Sequence, residues 1–227
     1  MIMPKTELIS EIAEDYYLSN SVKFGEFELS AHKIDPSLPL SPWYLHYPRS
    51  DEEGFDYLPE MYTKIGQAFF ELAESLGLSD GDNILISPIP NGSTPLGKEF
   101  ARHYHSYPDN LLSFDKTIGV KGEAIFSGPS EVFELNEEAI PIDDHISGAT
   151  NNRRFINTAR KQGLIVRSSF CVVDREQGGA ENLNAIDVTL HSLMTASFLL
   201  RHGVENGHIN QATATDVIKY QRENKIV

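Results

Sequence analysis

Cysteine is nearly absent from this chain: Cys171, in the apolar stretch SSFCVV, is the only one among 227 residues. A disulfide framework and a cysteine-rich zinc site are therefore excluded, and Cys171 reads as a small core residue. Positive charge is scarce too. Lysine and arginine number 19 against 33 aspartates and glutamates, giving a net charge of −14. Such a field repels polyanions, so neither nucleic acid nor an anionic membrane is expected as a partner, and an anionic ligand needs a locally positive pocket. No apolar run approaches the roughly 18 residues of a membrane-spanning helix. The opening residues, MIMPKTELISEIAED, lack the apolar core of a signal peptide, and a cytoplasmic protein is expected. There is no internal repeat and no low-complexity linker, so one domain over residues 1–227 is the expected partition.

What is present is the profile of a soluble globular protein, with 40% hydrophobic and 23% charged residues. LISEIAEDYYLS (7–18) predicts a short amphipathic helix and VKFGEFEL (22–29) a strand. IDPSLPLSPWYLHYP (34–48), with its repeated prolines, predicts an irregular or extended excursion. Met61, Ile65, Phe69, Leu72 and Leu76 recur at helical spacing, and Gly77 suits the position just past that helix. NILIS (83–87) reads as a buried strand and PIPNGS as a turn. The next helix is expected from Thr94 as N-cap with Pro95 at its first position. The pattern then repeats: strand AIPI (139–142), loop DDHISGAT, helix Asn151–Gln162 stopped by Gly163, then strands LIVRSSFCVV (164–173) and VTLHSLM (188–194). Alternating strands and helices predict an α/β fold, a central parallel sheet flanked by helices. Ligands gather at the carboxyl ends of such strands, where the 88–93 turn and the 143–150 loop both fall.

IPIDDHISGAT, residues 140–150, carries the clearest chemistry. The start of a helix offers unpaired N–H groups and partial positive charge to a phosphate. Gly148 and Ala149 let the backbone wrap close, while Ser147 and Thr150 supply hydroxyl donors. Asp143 and Asp144 stand ready as acceptors for vicinal sugar hydroxyls. Taken alone, the same residues also fit an ordinary acidic β–α turn with an N-cap. As a ligand site, they describe a ribose 5-phosphate cradle.

The chain resembles the type I phosphoribosyltransferases, whose sugar-phosphate fingerprint is an apolar run, two acids, two residues, Thr or Ser, two small residues and Thr. Within them it is most similar to orotate phosphoribosyltransferase. SVKFGEFELSAHK and SPWYLHY match that family's N-terminal segment and Ser-Pro-aromatic strand. ILISPIPNGSTPLG falls at its pyrophosphate-binding turn, and CVVDREQGGAENLNAIDVTLHSLMT (171–195) is the most specific match. The resemblance covers roughly residues 20–200. It implies transfer of ribose 5-phosphate between phosphoribosyl pyrophosphate (PRPP) and a nucleobase such as orotate, giving a nucleoside monophosphate and pyrophosphate with Mg²⁺. It further implies a hood from about 1–58 and 200–227, a mobile catalytic loop at about 113–130, and a homodimer. Asp143 and Asp144 would hold the ribose, Ser147 to Asn151 the 5-phosphate, and Asn91 and Gly92 the pyrophosphate. Lys33, Tyr44 and Arg175 would face the base; for Arg175 a structural ion pair with Asp174 or Glu176 is the competing reading.

The catalytic loop departs from the family. Its Arg-Lys-Glu-x-Lys-x-His-Gly pattern, matched at Gly122, puts Asp115 at the arginine, Lys116 at the first lysine, Gly119 at the catalytic lysine and Lys121 at the histidine. Asn91 replaces the lysine usual in the pyrophosphate turn. Charged contacts of this kind are each worth on the order of 2–4 kcal/mol in a transition state, or roughly 10²–10³ in rate. Lys116 and Lys121 are thus the loop cations left to act in catalysis. Lys98, Arg102, Arg153 and Arg154, on predicted helices, read first as solvated surface charges. His46 and His145 are further candidates for the cleft, whereas His103 and His105, two apart on one helix, point in different directions. A transferase for another base and a non-catalytic PRPP- or nucleotide-binding regulator are the alternatives.

Overall fold

The structure, a computed structural model, describes residues 6–28, 35–47, 58–78, 84–90, 92–104, 107–120, 123–129 and 133–226. Along the chain run α1 (Thr6–Leu18), β1 (Val22–Phe27), β2 (Ser41–Leu45), α2 (Pro59–Ser75), β3 (Ile84–Pro88), α3 (Thr94–Ala101), β4 (Phe114–Ile118) and β5 (Ala124–Pro129). Then follow β6 (Glu138–Ile146), α4 (Thr150–Lys161), β7 (Ser168–Asp174), α5 (Gly179–Asn184), β8 (Thr189–Thr195), α6 (Ala196–Glu205) and α7 (Gln211–Glu223). The central sheet has the order β3-β6-β7-β8, every pair parallel. Two antiparallel pairs, β1-β2 and β4-β5, complete the strands among the described residues.

Period-2 alternation sorts the sheet's apolar side chains onto two faces. Ile86, Ile140, Ile142, Phe170 and Val172 join a core with α1, α2, α3 and α6. Leu85, Ala139, Ile146 and Cys171 join a second core with α4 and the β4-β5 hairpin. On the first face Phe170 packs against Phe69 and Phe100, with ring centroids 5.8 and 5.9 Å away. Each such fully buried ring contributes about 1.5–3 kcal/mol relative to exposure. On the second, Phe155 of α4 receives Phe114 and Phe126 edge-on, at 4.6 and 5.3 Å, which seats the hairpin on that helix. α3 lies close to the end of β3, since a Cβ on Gly97 would come within 2.8 Å of Pro88. That contact fixes the direction of the turn between them.

The expected helices at 7–18, from Pro59, and at 151–162 are present within a residue or two, and Cys171 is buried and unpaired. Gly77 and Gly163 have φ of 72° and 99°, the left-handed stops their positions suggest. Four expectations change. Ser93, not Thr94, is the N-cap of α3, and its hydroxyl makes no capping bond because Asp143 takes it. Asp143 to Ile146 belong to β6 rather than to the loop, because parallel pairing with β7 continues through Asp143↔Cys171 and His145↔Val173. β7 begins at Ser168, and residue 165 contributes only an isolated bridge to Glu138. Part of the proline-rich stretch is a strand, β2, paired with β1 alone, an edge position that tolerates Pro42.

Candidate active site

Three loops leave the carboxyl ends of adjacent parallel strands: 89–93 after β3, 147–149 after β6 and 175–178 after β7. Hydrogen bonds tie them together. Ser93 Oγ donates to Asp143 Oδ1 at 3.0 Å and accepts from the Asp144 amide at 3.1 Å. The Arg175 amide donates to the Ile146 carbonyl at 2.8 Å, and Asn182 Nδ2 to the Gly148 carbonyl at 3.0 Å.

The two acids are not equivalent. Asp143 is saturated from within: besides Ser93, the Asp144 amide reaches Oδ1 at 3.0 Å and Asn152 Nδ2 reaches Oδ2 at 2.9 Å. Burial, reinforced by the neighbouring Asp144 charge, pushes its carboxyl well above the usual carboxylate range despite the Asn152 and Ser93 donors. Asp144 keeps 24% side-chain exposure, and its Oδ1 accepts the His145 amide at 2.7 Å. Its Oδ2 lies 3.1 Å from where a Cβ on Gly92 would stand. A side chain at position 92 would crowd this oxygen by a few tenths of an ångström. Asp144 Oδ2 thus lies between the β3 turn and the β6 loop, on the more exposed of the two acids.

Residues 147–149 lead directly from β6 into α4. Ala149 caps α4 at φ 56°, and no side chain caps the amides of its first turn. Those amides and the helix dipole favour an anion there. Ser147 is half-buried, Thr150 and Asn151 are exposed, and Ile226 packs directly against Gly148. Lys116, at the start of the β4-β5 hairpin, sends Nζ to the Pro90 carbonyl at 2.7 Å, which brings its charge to the turn after β3.

Beside the β1-β2 pair, Arg175 is buried at 5% exposure and its guanidinium stacks over Trp43 at 4.8 Å. Nη2 is 3.4 Å from Ser41 Oγ, and Nε has no hydrogen-bond partner. Burial alone draws its pKa down to about 10, with Tyr220 opposing. The alternative of an ion pair with Asp174 or Glu176 is not what these carboxylates do: Asp174 accepts the Glu176 amide, and Glu176 accepts the Ser197 amide. Tyr44 of β2 is half-buried between Phe27 and His46, with centroids 5.6 and 5.8 Å away. Lys33, Asn91 and Lys121 lie outside the described residues. Among the helix cations, Arg102 pairs with Glu99, while Lys98 and Arg153 are exposed.

Sequence reasoning missed Ser93 and Asn152, the two side chains that orient Asp143. Both are small polar residues on helix starts, and both are buried, at 1% and 3% exposure. Only tertiary contact reveals them. His145 is the other surprise: it faces inward, with Tyr16 OH 3.0 Å from Nε2.

No protein-family model matches the chain. Curated proteins do. Orotate phosphoribosyltransferase of Thermoplasma acidophilum is 25% identical over 186 residues, covering 82% of this chain and 94% of that protein. The enzyme of the same name from Natronomonas pharaonis is 29% identical over 198 residues, covering 87% and 98%. Uridine 5′-monophosphate synthase of Caenorhabditis elegans is 26% identical over 188 residues, and there the chain spans about a third of the relative's length, 34%. Among solved structures, Leishmania donovani UMP synthase superposes with a TM-score of 0.72 at 20% identity, over 94% of this chain and 42% of that one. Orotate phosphoribosyltransferase from Aeropyrum pernix gives 0.61 at 20% identity, over 87% and 99%.

Proposed function

We propose that this chain, which has the type I phosphoribosyltransferase fold and is similar to orotate phosphoribosyltransferases over most of its length, transfers ribose 5-phosphate between PRPP and orotate. The observation that supports this most is the half-exposed Asp144 carboxylate, held between the β3 turn and the uncapped start of α4. A ribose hydroxyl on Asp144 and a 5-phosphate on the α4 amides would be presented together. The sugar's C1 would then face Gly92 and the turn.

In that pose the residues mainly orient. Asp143 is spoken for by Ser93 and Asn152, so it buttresses the turn and the strand end, while Asp144 accepts the hydroxyl. The C1–pyrophosphate bond breaks as the base nitrogen bonds C1 and gives up its N–H proton to solvent or the departing pyrophosphate, leaving orotidine 5′-monophosphate and pyrophosphate. Lys116, and Lys121 with it, would neutralise the departing charge. Among the described residues no group of three or more His, Cys, Asp or Glu could hold a metal ion. A Mg²⁺ therefore fits best as a companion of the pyrophosphate, supplying charge neutralisation there. Arg175, buried without a carboxylate partner and facing Ser41 of the hood, is the anion anchor for the base carboxylate, with Tyr44 and Lys33 at the same end. A cytoplasmic homodimer belongs to the same reading; among the described residues no helix is long and apolar enough to cross a membrane.

One observation favours a second reading, a PRPP- or nucleotide-binding protein without turnover. Where the family has its catalytic lysine stands Gly119, and a Cβ there would meet the Glu123 carboxyl at 2.8 Å. An acid occupies the neighbourhood of the missing cation. Incubating the protein with PRPP, Mg²⁺ and orotate and measuring orotidine 5′-monophosphate separates the two. Product supports transfer; saturable PRPP binding without product for orotate or any other base supports the second.

A further inference from the structure

His145, on β6, is not simply filling space. Its side chain is 8% exposed, and its two ring nitrogens meet different partners. Nε2 is 3.0 Å from the Tyr16 hydroxyl of α1. Nδ1 is 3.6 Å from Asp144 Oδ2, too long for a hydrogen bond but close enough for charge to matter. A neutral imidazole carries one proton, and the two neighbours decide where it sits. A bare Nδ1 lone pair turned toward the carboxylate would repel it. A hydrogen on Nδ1 attracts it, and Nε2 is then free to accept from Tyr16.

We propose that His145 is a positioning residue: the Tyr16 hydroxyl holds the proton on Nδ1, and that N–H fixes the Asp144 carboxylate in the orientation that receives the ribose hydroxyl. This rests on the phosphoribosyl reading of Asp144. The remaining groups that face the ring suit a neutral donor. Tyr47 tilts against it at 6.2 Å, Tyr16 lies edge-on at 5.8 Å, and the Arg175 guanidinium opposes its protonation. Burial draws the imidazole down to about 4, against the opposing pull of Asp144, and burial holds the Tyr16 hydroxyl protonated. A neutral ring orients Asp144 without cancelling its charge, so the carboxylate remains a full acceptor for the sugar.

The test has two independent readouts. The first is the ¹⁵N imidazole spectrum of the free protein, with His145 assigned by the signal lost in His145→Asn. A pyrrole-type Nδ1 and pyridine-type Nε2 are expected, shifting toward a tautomer mixture in Tyr16→Phe. A proton on Nε2 instead, or on both nitrogens at neutral pH, overturns the proposal. The second is calorimetric affinity for PRPP with Mg²⁺. His145→Val should weaken binding about tenfold, Tyr16→Phe about threefold, and His145→Asn, whose amide can stand in for Nδ1–H, no more than about threefold. Equal loss in the valine and asparagine variants, or no loss in either, means packing alone and overturns it. If the wild type binds no PRPP, the phosphoribosyl reading fails instead, and the tautomer measured without ligand decides the positioning claim by itself.

Discussion

The two ends of the cleft are built differently. At the proposed sugar end, Asp143, Ser93 and Asn152 lock one another, Asp144 is braced by the His145 amide, and the N-cap of α4 makes no side-chain capping bond. At the proposed leaving-group end, the hairpin carries Asp115 and Gly119, and among the described residues Lys116 reaches the 89–93 turn. The comparison teaches that binding and turnover draw on separable parts of such a site. A ribose 5-phosphate can be held by backbone amides and one carboxylate. Stabilising a departing pyrophosphate needs positive charge, which this acidic chain supplies sparingly.

The largest effect should come from Asp144→Asn, which removes the charged acceptor at the sugar end. A loss of about 100-fold in kcat/KM for PRPP is expected, with the fold intact by circular dichroism. Asp143→Asn should act more on the melting temperature than on PRPP affinity, because its partners are internal. The reverse ranking would erase the distinction between the two acids.

Next comes acid sensitivity at the same end. His145 has its folded pKa drawn down to about 4, whereas an unfolded histidine titrates near 6.5. Between those values the unfolded chain binds the extra proton, so stability is full above about pH 6.5 and falls as pH drops toward 4, by about 3 kcal/mol in total. Urea unfolding across that range should show the slope in the wild type and a shallower one in His145→Val. Identical slopes would place His145 in water.

Smaller effects belong to the leaving-group end. Lys116→Ala should cost about 10- to 100-fold in kcat, with PRPP affinity nearly unchanged. An unaltered kcat would leave this lysine a structural tie to Pro90. Smallest is Gly119→Lys: the side chains near its Cβ, those of Glu123 and Ile125, are flexible enough to yield, and kcat should rise up to about tenfold. A fall in kcat would show that the Gly119–Glu123 arrangement is itself required.

Much of this was legible before the coordinates. Helical periodicity and the β–turn–α punctuation located α1, α2, α4 and the central strands, because local burial patterns survive in the one-dimensional sequence. The acid pair at a strand end before a helix start was legible because small residues there break the strand and admit the αL turn at Ala149. What escaped was set by distant contact. Ser93 resembles any N-cap serine until β6 brings Asp143 beside it, some fifty positions away, and Asn152 looks like a surface residue on α4. The role of His145 depends on Tyr16, 129 residues earlier. α6, which buries Leu199 and Leu200, and α7, which donates Gln221 Nε2 to the Arg175 carbonyl at 2.5 Å, also went unread.

The most direct test is a calorimetric titration of the purified chain with PRPP and Mg²⁺, repeated with Asp144→Asn. Saturable one-site binding in the wild type, weakened at least about tenfold in the variant, is the expected result. No binding, or binding indifferent to Asp144, would contradict a ribose 5-phosphate site at the end of β6.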